Sequence, residues 1–394
     1  MMLKPQTTPK LRFPAFNESW REQRLGKFFT SSRAKGSDGM PTLSVTLNRG
    51  LINRDDIDRK TETNLDADEH LLVRAGDIAY NMMRMWQGAF GRSDREGIVS
   101  PAYVVLRPLA SADSGYFEYA FRRARSIYLF WAYSYGITND RLRLYANDFL
   151  RIPFSAPSVP EQRKIADFLT AVDGRLAQLS QKKALLEAYK KGVMQQLFTQ
   201  ALRFQDDHGN DFPDWEEKTL GDAVTVNPKT SELPESFIYI DLESVNAGVL
   251  HSPRRIAKAD APSRAQRLLK RGDILYQTVR PYQMNNYLFD LEGIHVASTG
   301  YAQLRASNNN ARFIYHSLHF PGFVRRVLDR CTGTGYPAIN STALAEVEIA
   351  IPSLPEQTKI ANFLTALDRK IEAVAAQIAH TQTWKRGLLQ QMFV

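Results

Sequence analysis

Arginine, asparagine and glutamine can read the edge of a base pair, because each presents a fork of hydrogen-bonding groups. Lysine, threonine and tyrosine can hold a phosphate. The sequence puts such residues in three places, each of which occurs twice. The first follows a Gly-Asp-Ile segment: Tyr80, Arg84 and Gln87, then Tyr276, Arg280 and Gln283, with Asn285 and Asn286 beside the second set. Their recurrence suits a shared task such as phosphate contact, although the tyrosines packing and the arginines pairing with local carboxylates would look the same. The second place is ITNDRLRLY (137–145), with Thr138, Asn139, Arg141 and Arg143, opposite TGTGYPAIN (332–340), with Thr332, Thr334, Tyr336 and Asn340. One is basic and the other rich in hydroxyls and glycine, as two loops reading different sequences would be; a plain loop is the alternative. The third is an early loop with Arg33 and Lys35, opposite a segment with Lys229, where a solvated loop competes with phosphate contact. The runs Arg122-Arg123-Ala124-Arg125 and Arg325-Arg326 either line the same surface or face water.

A net charge of +9 agrees with a polyanionic partner. The chain offers little for catalysis. Gly26-Lys27 lacks the upstream glycine and following hydroxyl of a phosphate-binding loop. Asn227-Pro228-Lys229-Thr230 lacks the second proline and aromatic of an adenine methyltransferase motif. His316 and His319 stand three apart on an expected helix, with neither a cysteine nor a carboxylate cluster to complete a zinc site. Asp214 and Glu217 lie too close together for a nuclease centre. The single cysteine, Cys331, excludes an internal disulfide and fits a reducing compartment. No apolar run resembles a signal peptide or spans a bilayer, so the expectation is a soluble, cytoplasmic protein.

These residues need a frame, and the frame is duplicated. Residues 157–198 and 352–393 align without a gap at an offset of 195, with nearly half of the positions identical. Each copy reads as a long helix. Pro160 and Pro355 stand at the N-terminal end, where no intrahelical N–H is needed, and Glu161 and Glu356 follow in the first turn, where the helix dipole favours negative charge. Apolar residues recur in two heptad lines per copy: Ile165, Val172, Leu179, Leu186 and Val193 beside Leu169, Leu176 and Leu197, then Ile360, Leu367, Val374 and Leu388 beside Leu364, Ile371, Ile378 and Met392. Lys190 and Lys385 interrupt the seams at equivalent positions, where a polar group fixes register at some cost in stability. Each helix would extend roughly 58 Å at 1.5 Å per residue, and the simplest cover for each stripe is the other helix.

The duplication extends beyond the helices. Trp20, Leu25 and Gly26 repeat as Trp215, Leu220 and Gly221, each set following a Leu-Arg-Phe triplet (Leu11–Phe13, Leu202–Phe204). Between tryptophan and helix the halves agree only in islands, notably Arg74-Ala75-Gly76-Asp77-Ile78 with Lys270-Arg271-Gly272-Asp273-Ile274. Strands are expected over 41–47, 77–82, 101–108, 235–242, 273–279 and 300–306, and helices over 116–134 and 311–330. The division is an arm at 1–19, a domain at 20–156, a helix at 157–198, a linker at 199–214, a second domain at 215–351 and a helix at 352–394. A near-copied frame thus carries two diverged domains.

The LRFP and Trp-x4-Leu-Gly signatures, the Gly-Asp-Ile segments and two PS[VL]PEQxKIAxFLTAxD helices ending in QQ[LM]F resemble the specificity subunits of type I restriction-modification systems across essentially the whole chain. The resemblance implies an α+β fold: two mixed α/β target-recognition domains joined by two long antiparallel coiled-coil helices, an internal tandem duplication with pseudo-two-fold symmetry. It implies that each domain reads one half of an asymmetric, bipartite site in double-stranded DNA and that the helices set the gap between half-sites. The chain itself would be non-catalytic and bind no cofactor. Two modification subunits, which use S-adenosylmethionine to methylate adenine, and restriction subunits, which use ATP and Mg²⁺, would be its partners. A protein scaffold built on the coiled coil, or a degenerate subunit without active partners, is the alternative.

Overall fold

The computed structural model describes residues 8–57, 65–138, 141–230, 232–251, 253–333 and 335–394. Two compact units emerge: Met1–Leu179 together with Gln377–Val394, and Ser180–Ala376.

In the first unit an antiparallel sheet runs in the order Phe29–Ser32, Tyr103–Pro108, Ile78–Asn81, Phe90–Arg92. One face packs on the helix Ser114–Phe121, with Phe29, Phe90, Phe117 and Phe121 all buried in one core. The second unit has its own antiparallel sheet, Thr225–Val226, Tyr301–Arg305, Ile274–Gln277, Tyr287–Leu288. It adds a mixed sheet, Arg254–Ala257, Ser236–Ile240, His295–Ser298, Ala265–Leu268, in which Ser236–Ile240 and His295–Ser298 run parallel. The helical expectation over 116–134 resolves into Ser114–Phe121 and Ala124–Ala132, broken where Arg123 is extended. That over 311–330 resolves into Ala311–Ser317 and Pro321–Leu328. Proline explains the second break: it holds the preceding Phe320 in an extended conformation and takes the first helical position itself.

The long helices span Val159–Phe198 and Leu354–Gln391. In the first unit Ile165, Leu169 and Val172 share a core with Leu388 and Met392. In the second, Val193 and Leu197 share one with Ile360, Leu364 and Leu367. Within each unit, then, the start of one helix meets the end of the other, and the pairing is antiparallel. Among the described residues no helix is long and apolar enough to cross a membrane.

The joint between helix and domain repeats almost bond for bond. Glu161 is buried and takes two bonds from the Arg12 guanidinium, at 2.7 and 2.8 Å. The Trp20 indole N–H adds a longer contact. Glu356, also buried, takes the same set from Arg203 and Trp215. Each carboxylate holds its arginine above the ordinary guanidinium range. The next residue accepts a domain backbone N–H: Gln162 from Asp113 and Gln357 from Asn310. Arg21–Arg24 pairs antiparallel with Pro153–Ala156, and Glu216–Thr219 with Glu348–Ile351, in registers that differ by the same 195 residues. The seam lysines each meet a carboxylate across the helix pair: Lys385 donates to Asp173 and Lys190 to Asp368, both at 2.5 Å.

Candidate nucleic-acid interface

Each Gly-Asp-Ile segment begins with a turn that only glycine takes cheaply, since Gly76 and Gly272 have φ of +91° and +89°. The turn closes on a buried carboxylate. Asp77 accepts from the Arg74 backbone N–H and from two nitrogens of Arg107 at 3.2 and 3.3 Å. Asp273 accepts from the Lys270 backbone, from Gln303, and from two nitrogens of Arg305 at 2.7 Å each. A buried carboxylate needs this many donors to offset its lost hydration. These four residues, Asp77, Arg107, Asp273 and Arg305, anchor the strand that delivers the first candidate loop.

The repeated tyrosines lie in the core. Tyr80 is fully buried, its ring 5.4 Å from that of Phe149, and Tyr276 sits edge-on to Phe323. Burial pushes both phenols upward in pKa. Phosphate contact by Tyr80 and Tyr276 is therefore corrected: they recur because the frame recurs. Asn286 is likewise buried, accepting from the Gln277 backbone. The Asn285 side-chain oxygen accepts from the Ala247 backbone N–H.

Tyr80 nevertheless links two candidate places. Its hydroxyl donates to the Leu144 carbonyl at 3.2 Å, and the Leu144 N–H donates to Met82 at 2.9 Å. The loop over 137–145 is thereby fastened to the loop carrying Arg84 and Gln87, both exposed. The Tyr135 and Arg143 backbones exchange bonds of 3.0 and 2.8 Å below its tip, leaving Thr138, Arg141 and Arg143 exposed and Ile137 fully solvated. Asn139 lies outside the described residues. The third place is adjacent: Arg33 and Lys35 line an open groove of about 660 Å³ with Met82, Tyr145 and Arg151. Of the neighbouring basic run, Arg122 lies over the Phe90 ring and Arg123 over Phe393, so both serve packing.

The second unit makes the same junction differently. Thr332 and Ala338 exchange backbone bonds of 2.9 and 3.0 Å, forming a narrow loop with Tyr336 at 68% exposure. Ile339 donates to Thr278 and Arg280 to the Pro337 carbonyl, so this loop is fastened to the one carrying Arg280 and Gln283. Arg280 has φ +54° and ψ +55°, a left-handed conformation that costs a residue with a β-carbon about 1–2 kcal/mol. Its guanidinium lies 4.3 Å from the centroid of the Tyr336 ring. Gln283 is exposed, with its carbonyl taken by Gln277. Asn340 is exposed and caps a helix, its side-chain oxygen accepting from the Ala343 backbone at 2.8 Å. Thr332 is exposed, and Thr334 lies outside the described residues. Lys229 is exposed two residues beyond Asn227, whose amide reaches Ser341 at 2.7 Å.

The first unit therefore gathers its three places around one loop junction, with exposed cations beside exposed apolar groups, and in the second the half-buried Arg280 and the exposed Tyr336 share the junction. Such a surface is suited to a phosphate backbone and base edges. Among the described residues, no three His, Cys, Asp or Glu side chains are grouped to hold a metal ion.

Comparison with known proteins agrees. A family model described as the type I restriction modification DNA specificity domain matches residues 213–380. The specificity subunit of the MjaVIII type I restriction enzyme of Methanocaldococcus jannaschii is 24% identical over 326 residues, covering 77% of this chain and 75% of that one. The chain is thus similar to type I restriction-modification specificity subunits over most of its length. The HindI specificity subunit of Haemophilus influenzae is 29% identical over 173 residues, 40% of this chain and 36% of the relative. The type I S subunit from M. genitalium has the same fold, with a TM-score of 0.59 at 18% identity over 98% of this chain and 99% of its own. A chain from a structure on type I complex assembly and conformational transition gives 0.53 at 18% identity, covering 95% and 97%. The fold expected of the family, mixed domains carried on two long helices, is the one observed.

The Arg12–Glu161 and Arg203–Glu356 clamps and the Asp77–Arg107 and Asp273–Arg305 pairs were not singled out by sequence reasoning. The signal was present in the repeated Leu-Arg-Phe, Pro-Glu-Gln and Gly-Asp segments.

Proposed function

We propose that this specificity subunit reads an asymmetric, bipartite site in double-stranded DNA, each unit recognising one half, and performs no catalysis itself. What carries the reading is the contrast between joint and junction. The Arg–Glu–Trp clamp and the seam Lys–Asp pair are repeated in both units, whereas the loops they support differ in length, charge and backbone conformation. A repeated frame suits repeated partners, and dissimilar loops suit dissimilar half-sites.

The partners are two modification subunits, which bring S-adenosylmethionine and methylate adenine, and restriction subunits, which use ATP and Mg²⁺. Aromatic side chains on and against the helices, with one exposed ring in each unit, support a repeated docking surface. Phe13, Phe168 and Trp384 form an edge-to-face series at 5.7 and 5.9 Å, with Trp384 48% exposed. In the other unit Phe204 and Phe363 pair at 5.8 Å, and Tyr189, the repeat counterpart of Trp384, is 54% exposed. The cytoplasm is where such a complex would meet its DNA.

The test is methylation mapping by modified-base sequencing. The chain and its cognate modification subunit are expressed together, and each alone, in a host without adenine methylation. A split, asymmetric motif is expected in the joint strain only. Replacing Arg141 and Arg143 by alanine should then change one half of the motif. Association of soluble subunits without any motif would favour a scaffold, and a change in both halves would overturn the modular reading.

A further inference from the structure

Arg280 is the most constrained cation in either candidate surface. It holds a left-handed backbone conformation immediately before Pro281. Its backbone N–H is fixed to the Pro337 carbonyl at 2.7 Å. Its Nε is buried and makes no hydrogen bond. Among the described residues no carboxylate pairs with it, whereas Arg271, Arg305 and Arg312 in the same unit all have one. Its guanidinium is laid on the ring of Tyr336, itself 68% exposed on a glycine-flanked loop. Arg84, the repeat counterpart, has none of this: its backbone is at φ −133° and its exposed side chain stacks on no ring among the described residues.

A phosphate needs charge at roughly the right place and tolerates a mobile side chain. A guanine edge needs a planar fork in one plane, because O6 and N7 must be met together. Stacking on an aromatic face fixes the plane of the guanidinium and leaves its terminal nitrogens free. An arginine held in a strained backbone, flattened on a ring and left without a carboxylate is arranged for the second task.

We infer that Arg280 reads a guanine through its major-groove edge, and that Tyr336 is the positioning residue that orients the fork. The inference rests on the reading of the chain as a DNA-specificity subunit. It gives the half-site of the second unit a guanine and makes Arg280 the residue that selects it.

The test uses the joint strain with its modification subunit and compares motifs by modified-base sequencing. Wild type should give a split motif with an invariant guanine in one half. Arg280→Ala and Arg280→Lys should each make that one position degenerate, lowering the preference roughly 10- to 100-fold, while all other positions stay fixed. Lysine keeps the charge and folds in the same place, so its failure to restore guanine isolates the fork from the charge. Tyr336→Ala should relax the same position and Tyr336→Phe should restore it. An unchanged motif with uniformly weaker methylation and a shallower salt dependence would make Arg280 a phosphate contact, which overturns the inference and leaves the specificity reading standing. Absence of a split motif in wild type would overturn both.

Discussion

The two units meet the helix pair through the same polar node, with one residue exchanged. In the first, Asp173 accepts from Lys385 and, at 2.7 Å, from the hydroxyl of Tyr119, while Thr170 stands 3.4 Å from that hydroxyl. In the second, Asp368 accepts from Lys190, Thr365 stands 3.4 Å from Nε2 of His316, and Nδ1 of His316 lies 3.9 Å from Asp368. Aspartate, lysine and threonine come from the helices and repeat at the common offset; tyrosine or histidine comes from the domain. Helix residues answer to a partner helix that is the same in both units, so they are held. Domain residues answer to loops that differ, and the node accommodates a tyrosine hydroxyl bonded to the aspartate in one unit and an imidazole 3.9 Å from it in the other. The exchange places a histidine, whose pKa burial holds well below its ordinary value, in the second node and a tyrosine in the first.

The largest effect expected from such differences lies at the buried strand anchors. Asp273 has closer arginine bonds than Asp77, 2.7 and 2.7 Å against 3.3 and 3.2 Å, and an additional donor in Gln303. Replacing either by alanine leaves an arginine short of its partner and a turn unclosed. Asp273→Ala should cost about 3 kcal/mol locally, and Asp77→Ala about 2 kcal/mol because Arg107 is the more exposed arginine. Hydrogen exchange of Ile274–Gln277 and Ile78–Asn81 reads each unit separately, which a global melt of two units would not. Equal losses would mean that the extra donor contributes nothing.

This asymmetry marks where the sequence was legible. The helices were readable because heptad lines are local, and the buried Ile165, Val172, Ile360 and Leu367 follow from period alone. The clamps were not, because Arg12 and Glu161 lie 149 residues apart, and the repetition of their segments marks each as constrained without pairing one with the other. Repetition also misled. Tyr80 and Tyr276 recur with Arg84 and Arg280, and recurrence signals a common need without saying whether the need is packing or contact. Loop placement was visible only as three separate segments. Their union depends on backbone bonds such as Leu144 to Met82 and Ile339 to Thr278, which side-chain type does not encode.

A smaller effect should appear with pH. His316 is buried, and burial first, then the cation Lys190, the His319 imidazole and the cation Arg312, hold its pKa well below the ordinary value of 6.5. Asp368 faces it from the second long helix, its carboxylate 3.9 Å from Nδ1. The folded unit therefore binds fewer protons than the unfolded chain. The stability contributed is fully present above about pH 6.5 and is lost as the pH falls through that value toward the lower folded pKa, at up to about 1.4 kcal/mol per pH unit for one proton. His319, also depressed by burial, adds in the same direction. Protection of Ala311–Ser317 should fall between pH 7 and pH 5.5 more steeply than that of Ser114–Phe121, and His316→Tyr should remove part of the difference. Equal slopes in the two helices would show that His316 does not govern the node.

The smallest effect is expected at the lysines themselves. Asp173 and Asp368 are each about a third exposed, so the Coulomb gain of either pair is largely screened, and Lys190→Met or Lys385→Met should change stability by about 1 kcal/mol or less. Their importance lies in register, because methionine at a seam position packs as well in a shifted helix as in the native one, whereas a lysine facing an aspartate does not. Exchanging the charges, Lys190→Asp with Asp368→Lys, should preserve the register, and Lys190→Asp alone should not. A disulfide-trapping series between cysteines placed along the two helices reads the register directly. If the single charge reversal left the trapping pattern unchanged, the apolar lines alone would set the alignment, and the repetition of the pair would need another reason, the partner subunit being the first to test.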